Sequence, residues 1–355
     1  MNRSLVAAAL AVAVCTALAA CQKQPAERAA TPAAAATAAT PATAAVAAVP
    51  KPSATELEQL AERLVTQSAA VKEGEVLLIT GRALDAELIE NIAVQVRKLG
   101  AFPLVTYGSD RMSRRMFFDV SDKYDSQTDK LGLELADIAD VAIGLNNGTS
   151  ENLFEGADPK RMAARGKSDE AVSQAFLNEG VRIVEVGNNL YPTPWRAERY
   201  GMTEAQLADA FWNGLNIDYA QLQTRGEQIK AAIAAGNELH ITNPNGTDLK
   251  LQVKDRRVLV SDGIISPDDQ KAGGPSLAAF LPAGEVYTTP VPGTAAGKVV
   301  HTRTYFRGKP IDNLTLTIAD GKITSMTGDG PGYGDFKDEY DAVEDPRKDQ
   351  FAFVD

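Results

Sequence analysis

Short apolar runs alternate with amphipathic helical segments through the first half of this chain, and this alternation limits the folds open to it. Residues 75–80 form an apolar run closed by Gly81, and residues 85–100 follow with helical spacing and a stop at Gly100. Further strand-like and helix-like segments lie at 102–108, 129–138, 140–145, 170–179, 181–187 and 203–215. Strands that alternate with helices form a mainly parallel sheet covered by helices on both faces. We therefore expect an open α/β sheet over residues 55–225.

The pattern of predicted secondary structure changes at Glu238, where strands and turns replace the alternation of strands and helices. Strand-like segments bounded by turn residues lie at 238–243, 249–253, 257–263, 285–290, 297–306 and 314–324. Closely spaced strands with turn signals between them indicate mostly antiparallel structure. We expect a β-rich α+β domain over residues 226–355, after the α/β domain.

The first residues have the pattern of a bacterial lipoprotein signal peptide. Arg3 is a short positive region, residues 5–17 are apolar, and a Leu-Ala-Ala sequence precedes Cys21. Cleavage of residues 1–20 would leave Cys21 as a lipidated N-terminus. The apolar run is too short to span a membrane as a helix, and the alternative is an ordinary secretory signal with an incidental cysteine. Gln22 favours sorting to the outer membrane of the bacterial envelope, facing the periplasm.

Residues 21–54 are predicted to tether the lipid anchor to the folded part. From Gln24 onward this segment is almost wholly Ala, Thr, Pro and Val, and it offers nothing large to pack. The other cysteine, Cys15, lies in the removed segment. The mature domain therefore has no thiol for a disulfide, a zinc-thiolate site or a cysteine nucleophile.

The net charge limits the classes of partner that the protein is expected to bind. It is 36 − 47 = −11 for the whole chain and, because residues 1–20 contain only Arg3, 35 − 47 = −12 after cleavage. An acidic chain without a basic stripe argues against nucleic acid as a partner and against peripheral binding to anionic lipid. Acyl chains on Cys21 would then supply the membrane attachment.

Three polar segments are interpreted first as structural. Residues 146–149, Asn-Asn-Gly-Thr, follow an apolar strand at the edge where open α/β sheets bind ligands, and their turn chemistry favours a polar loop. The glycine-rich residues 328–335 lack the strand-turn-helix setting of a phosphate loop, which favours a flexible loop. The charge-rich residues 337–349 indicate a solvated helix or linker.

The two histidines are weighed as metal ligands and as structural residues. His240 alternates with apolar residues, and we expect a histidine packed within a strand. His301 lies in a predicted strand shortly after Glu285. Neither histidine has a second one at the i+4 position or a Glu-x-x-His arrangement. A structural role is therefore the first interpretation for both, and a role as a metal ligand is the second.

Glu285 is the candidate for a binding role. Residues 281–290 place this carboxylate between apolar residues and a proline-bounded turn, and a buried charge is costly unless something pairs with it. Upstream, residues 243–253 indicate a tight turn that feeds an alternating strand. In this order the two segments resemble the aminopeptidase T family, the M29 metallopeptidases. The likeness runs from about residue 57 to about residue 300.

The resemblance implies a metal-dependent enzyme that releases N-terminal residues from peptides. In the resembled family the glutamate of this block binds an active-site metal, and two divalent ions, usually zinc or cobalt, activate a water molecule. Glu285 is then one metal ligand. The next family ligand is an acidic residue on a following strand, which corresponds to Asp355 within residues 348–355. The resemblance also implies a homodimer, and it identifies no catalytic acid or base here.

The family pattern continues past Asp355 with further ligands, which leaves two interpretations open. The sequence is either a truncated record of a complete membrane-anchored aminopeptidase or a natural short form that uses the fold otherwise. An end within an apolar strand, where Phe351, Phe353 and Val354 need partners, favours truncation. The alternative from another class is a non-catalytic envelope lipoprotein that binds peptides or envelope components.

Overall fold

The computed structural model describes residues 51–306, 308–342 and 347–351. The predicted signal peptide, most of the predicted tether, Cys21 and Asp355 lie outside the described residues. Within these ranges, none of the helices combines the length and the apolar character that crossing a membrane requires.

Most helices in the described ranges begin where a side chain caps free backbone amides, although α2 (Ala86–Lys98) begins without such a cap. Ser53 and Glu56 form a capping box at the first helix, so residue 54, predicted to end the tether, is already helical. Thr203 and Gln206 form a second capping box, which confirms the helix start predicted at Thr203. The α-helices are α1 (Ala54–Arg63), α2 (Ala86–Lys98), α3 (Asp110–Phe118), α4 (Lys130–Ile138), α5 (Pro159–Asn178), α6 (Pro194–Arg199), α7 (Glu204–Leu215), α8 (Tyr219–Ala235), α9 (Pro267–Ala272) and α10 (Tyr333–Ala342).

Every segment between residues 75 and 324 that the sequence predicted to be a strand contains a strand in the structure, whereas the described part of the predicted terminal strand is a turn with one bridge, from Gln350 to Lys322. The strands are β1 (Val76–Arg82), β2 (Phe102–Gly108), β3 (Val141–Leu145), β4 (Arg182–Val186), β5 (Glu238–Asn243), β6 (Thr247–Gln252), β7 (Val258–Ser261), β8 (Ala278–Leu281), β9 (Glu285–Thr288), β10 (Ala296–Phe306), β11 (Lys309–Ala319) and β12 (Lys322–Asp329). One strand, β8, was not predicted.

Five parallel strands form the first sheet in the order β2-β1-β3-β4-β8. Leu77 and Ile79 of β1 are buried in the main core together with Ile92 of α2. Leu78, between them in sequence, lies in a separate core with Phe176 of α5. Because side chains alternate between the two faces of a strand, helices cover both faces of this sheet. The predicted α/β class is confirmed.

The fifth strand of the parallel sheet comes from the part of the chain assigned to the second domain. β8 pairs with β4, with Leu281 opposite Val186. The parallel sheet therefore does not end at residue 225, where the predicted boundary lies. β8 has four residues, too few to show a clear hydrophobic period. It leads directly into the turn before Glu285 and so connects the parallel sheet to the strand that carries this residue.

The second half of the chain is β-rich, as predicted. Five antiparallel strands lie in the order β12-β11-β10-β6-β5. Leu249, Leu251 and Ile318 form their core, and Val299 packs against it. A separate small sheet consists of β7 and β9, which pair antiparallel.

The glycine-rich segment expected to be a flexible loop is ordered at both ends, and that expectation was wrong. β12 extends to Asp329, and α10 begins at Tyr333. A Cβ on Gly332 would lie 2.6 Å from the carbonyl oxygen of Lys309. Glycine is needed at this position because two backbone segments approach closely there.

Helix α8 supports the small sheet, although the sequence pattern did not indicate it. Among its 17 residues, the buried ones are Tyr219 and Gly226, so the helix has no broad apolar stripe. A Cβ on Gly226 would lie 2.4 Å from Cγ1 of Val260 in β7. The missing side chain lets α8 lie directly against the strand that pairs with β9.

Replacing Gly226 with alanine is expected to lower the free energy of unfolding by up to about 2 kcal/mol. Alanine is favoured over glycine in a helix by about 1 kcal/mol, but the stiff Val260 side chain must move, which costs about 1–3 kcal/mol. Gly166 in α5 is the control, because no atom lies within 4 Å of its Cβ position. Alanine there should stabilise by about 0.5–1 kcal/mol. Equal stabilisation by both changes in equilibrium denaturation would contradict the close contact of α8 with β7.

Candidate functional site

Glu285 is the first residue of β9 and lies opposite Ser261 of β7. The turn before it is fixed, because the Gly284 amide donates a hydrogen bond to the Ser261 carbonyl oxygen at 3.0 Å. Val260, the neighbour of Ser261, faces α8. Since side chains alternate along a strand, Glu285 and Ser261 lie on the face of the small sheet that points away from α8. Glu285 is half-buried there.

The Ser261 hydroxyl is buried and has no hydrogen-bond partner among the described residues. An unpaired buried hydroxyl costs about 1–3 kcal/mol, and such a group in a native protein needs a partner such as a water molecule, an ion or a ligand. This hydroxyl shares its face of the sheet with the Glu285 carboxylate. The face therefore offers one anionic acceptor and one neutral group that can donate a proton in a hydrogen bond.

Asp262 follows Ser261 but lies on the α8 side of the strand. Its carboxylate accepts a hydrogen bond from the Ile264 amide at 3.0 Å and another from the Gln223 side chain of α8. Burial raises the pKa of Asp262 and outweighs these two hydrogen bonds, which lower it. Asp262 thus lies behind the strand and does not extend the Glu285 face.

Both histidines lie on the surface of the antiparallel sheet. The His240 side chain is 45% exposed, and its Nε2 lies 2.7 Å from Oδ1 of Asp248. The predicted packed histidine is therefore wrong, because the flanking Leu239 and Ile241 take the positions that face the core. His301 is exposed on β10.

The described residues do not form a two-metal centre. Among them, no three histidine, cysteine, aspartate or glutamate side chains come together in an arrangement that could hold a metal ion. One carboxylate and one serine hydroxyl are too few ligands for zinc, which takes about four. The predicted second ligand, Asp355, and the predicted lipidation site, Cys21, lie outside the described residues, so both stay predictions.

The loop predicted after β3 contributes to a buried polar cluster at the edge of the parallel sheet. Asn147 is fully buried, its Oδ1 accepts a hydrogen bond from the Arg82 amide at 2.9 Å, and its Nδ2 donates to Asp85 at 2.8 Å. The Tyr191 hydroxyl donates to the same Asp85 oxygen at 2.8 Å. These polar groups satisfy one another's hydrogen-bonding capacity. The cluster therefore holds together the loops that follow β1, β3 and β4. No local sequence pattern indicates this cluster, because its members are far apart along the chain.

Asp110, the first residue of α3, forms an ionic cluster beside these loops. Arg82 Nε donates to it at 2.6 Å, and the amides of Thr149 and Ser150 donate at 2.9 and 2.8 Å. Partial burial opposes ionisation, but the hydrogen bonds from Arg82 and these amides outweigh it and lower the pKa of Asp110 to about 2. The start of α3 is therefore held to the edge of the parallel sheet.

Replacing Asp110 with asparagine is expected to lower the free energy of unfolding by about 1–2 kcal/mol at neutral pH. The folded pKa lies below the ordinary value of 3.8. The ionised carboxylate therefore stabilises the fold above about pH 4, and its contribution is lost as the pH falls toward about 2. Denaturation of both proteins across this range measures the difference, with Asp119→Asn as the exposed control. If the difference in free energy of unfolding between wild type and Asp110→Asn did not change with pH, this role of Asp110 would be contradicted.

Comparison with known proteins finds a family whose sequences match most of this chain and a solved structure with a similar fold. The family described as thermophilic metalloprotease (M29) matches residues 53–330. The aminopeptidase PepS of Streptococcus thermophilus is 24% identical over 301 residues, which cover 77% of this chain and 70% of that protein. The solved structure of wild-type AmpT from Thermus thermophilus has a similar fold, with a TM-score of 0.66 at 17% identity over 83% of this chain and 76% of that chain.

Proposed function

Because this chain belongs to the M29 family of metallopeptidases, we propose that it is a metal-dependent aminopeptidase that releases N-terminal residues from peptides. The observation that carries this proposal is the extent of the family match. It spans residues 53–330 and so includes the parallel sheet and the strand pair that bears Glu285. The relative PepS is named an aminopeptidase, which supports the same activity here.

Glu285 is proposed as one ligand of a divalent metal centre that holds two zinc or cobalt ions. Its half-buried carboxylate on a fixed strand, beside the unpaired Ser261 hydroxyl, supports this role. The described residues supply no cluster of further ligands. The proposal therefore requires ligands from outside the described ranges, with Asp355 as the candidate that the family resemblance indicates.

We further propose that lipid on Cys21 holds the protein on the periplasmic face of the outer membrane. The sequence pattern at residues 18–22 supports this location. Peptides in the periplasm would then be the substrates, and a second copy of the chain is the proposed oligomeric partner.

A non-catalytic envelope lipoprotein is the second candidate function. The observation that favours it is the lack, within the described residues, of any group of three side chains able to hold a metal ion. In that case the same fold binds peptides or envelope components without cleaving them.

A peptide and its N-acetylated form distinguish the two functions when each is incubated with the mature protein and metal. The aminopeptidase should release residues one at a time from the free peptide and leave the acetylated one intact, because the free amino terminus is part of what the enzyme recognises. The non-catalytic protein should release nothing and should bind peptide equally well with or without a chelator. Cleavage at internal bonds would overturn the aminopeptidase assignment.

A further inference from the structure

Helix α3 exposes methionine and arginine side chains along one side. Met112 and Met116, one helical turn apart, are 46% and 56% exposed. Arg111 and Arg115, also exposed and one turn apart, flank them. An open groove of about 440 Å³ runs along this side and is lined by these four residues together with Ser109, Asp119 and Val120. These seven residues are called the α3 groove below.

The α3 groove is basic on an acidic protein. Its seven residues include two arginines and one aspartate, a net charge of 2 − 1 = +1, whereas the whole chain carries −11. The preceding acid, Asp110, is turned inward to Arg82 and does not face the groove. Arg115 pairs with the one aspartate. Arg114 lies outside the groove, where it donates to the Leu153 carbonyl oxygen at 2.6 Å. Among the described residues, Arg111 pairs with no carboxylate, so its charge is available to an anionic partner.

The N-terminal segment enters the fold near this surface. Lys51, the first described residue, binds the loop after β1, with its Nζ 3.0 Å from the Asp85 carboxylate. Arg82, which ends β1, holds the first residue of α3 at 2.6 Å. The segment that would join Cys21 to the fold therefore arrives at the sheet edge where α3 begins. Lipid on Cys21 would keep the protein within reach of a membrane.

We propose that the α3 groove docks on the surface of a membrane that contains anionic phospholipid. The Arg111 side chain binds at the level of the headgroups, where one such charge contributes about fivefold to binding. The methionine side chains enter the boundary with the acyl chains, as apolar residues of interfacial helices do. An open groove with flexible apolar side chains fits a fluid surface and does not require a shaped partner.

This docking departs from the expectation drawn from net charge. Charges on exposed groups are screened beyond about 10 Å at ordinary ionic strength. The acidic groups elsewhere on the protein therefore weaken the attraction of the groove for lipid only slightly. The local charge of the groove decides the interaction, and the sequence shows it as the Arg-Met-Ser-Arg-Arg-Met run at residues 111–116.

Vesicle cosedimentation of the mature protein with Cys21→Ser, which carries no lipid, tests the proposal. The protein should bind phosphatidylcholine vesicles that contain phosphatidylglycerol, should bind pure phosphatidylcholine far less, and should be released by high salt. The combined change Arg111→Ser, Met112→Ser and Met116→Ser should weaken binding at least about tenfold. The matched control is Ile229→Ser with Lys230→Ser on α8, where Ile229 is 51% exposed, and it should leave binding unchanged.

Three results would overturn the proposal: no binding to the anionic vesicles at low salt, equal binding by the triple variant, or binding of a polyglutamate peptide in place of vesicles. Thermal unfolding checks that the triple variant is folded. If it is not, the single exposed change Arg111→Glu should still weaken binding by at least about fivefold, and no weakening would count against the groove. Because the protein tested lacks the anchor, the result does not depend on lipidation or on peptidase activity.

Discussion

Replacing Glu285 with glutamine is expected to reduce hydrolysis of an aminoacyl anilide at least about 100-fold, because loss of a metal ligand should cost more than the 10–100-fold typical of an outer-shell partner. Glutamine keeps the size and polarity of the side chain but removes the negative charge that binds the cation. Bound zinc or cobalt, measured by elemental analysis, should fall with activity. The melting temperature should stay within a few degrees of that of the metal-free protein, because Glu285 is half-buried at a strand end.

Glu238→Gln is the matched control for this change. Glu238 also begins a strand, β5, and it is exposed. Its replacement should leave both metal content and hydrolysis unchanged. Full activity in the Glu285 variant would show that this carboxylate is not a metal ligand, whatever the outcome of the control.

Replacing Cys21 with serine is expected to move the protein from the membrane fraction to the soluble periplasmic fraction. Two or more acyl chains anchor a protein stably, whereas a protein without them keeps only its surface contacts with lipid. Labelled palmitate should be incorporated by the unmodified protein and not by the variant. Cys15→Ser, within the segment predicted to be removed, is the control and should leave labelling intact. Equal labelling of wild type and Cys21→Ser would contradict the predicted lipid attachment.

The parallel sheet was predictable because its strands and helices carry regular apolar periods. β1 and α2 show this well, since an apolar run closed by Gly81 precedes a helical pattern that ends near Gly100. Two supporting elements escaped prediction for physical reasons. β8 is too short to show a period, and α8 packs through Gly226, a residue that adds nothing to a hydrophobic pattern.

The site was predictable only in part. Glu285 stood out because of its sequence setting, but the unpaired Ser261 hydroxyl beside it depends on the pairing of β7 with β9, which no local pattern contains. His240 shows a related limit. Alternation with apolar residues indicates a strand, yet it does not say which of the two alternating sets faces the core.

Metal dependence of hydrolysis is the most direct test of the proposed aminopeptidase. The purified mature protein should hydrolyse leucine p-nitroanilide, lose that activity when a chelator removes its metal, and regain it when zinc or cobalt is added, while the Glu285→Gln protein should not regain it. Hydrolysis that a chelator leaves unchanged would contradict the proposal. So would a lack of hydrolysis both before and after metal addition, with peptide binding retained, because the non-catalytic lipoprotein would then be the correct assignment.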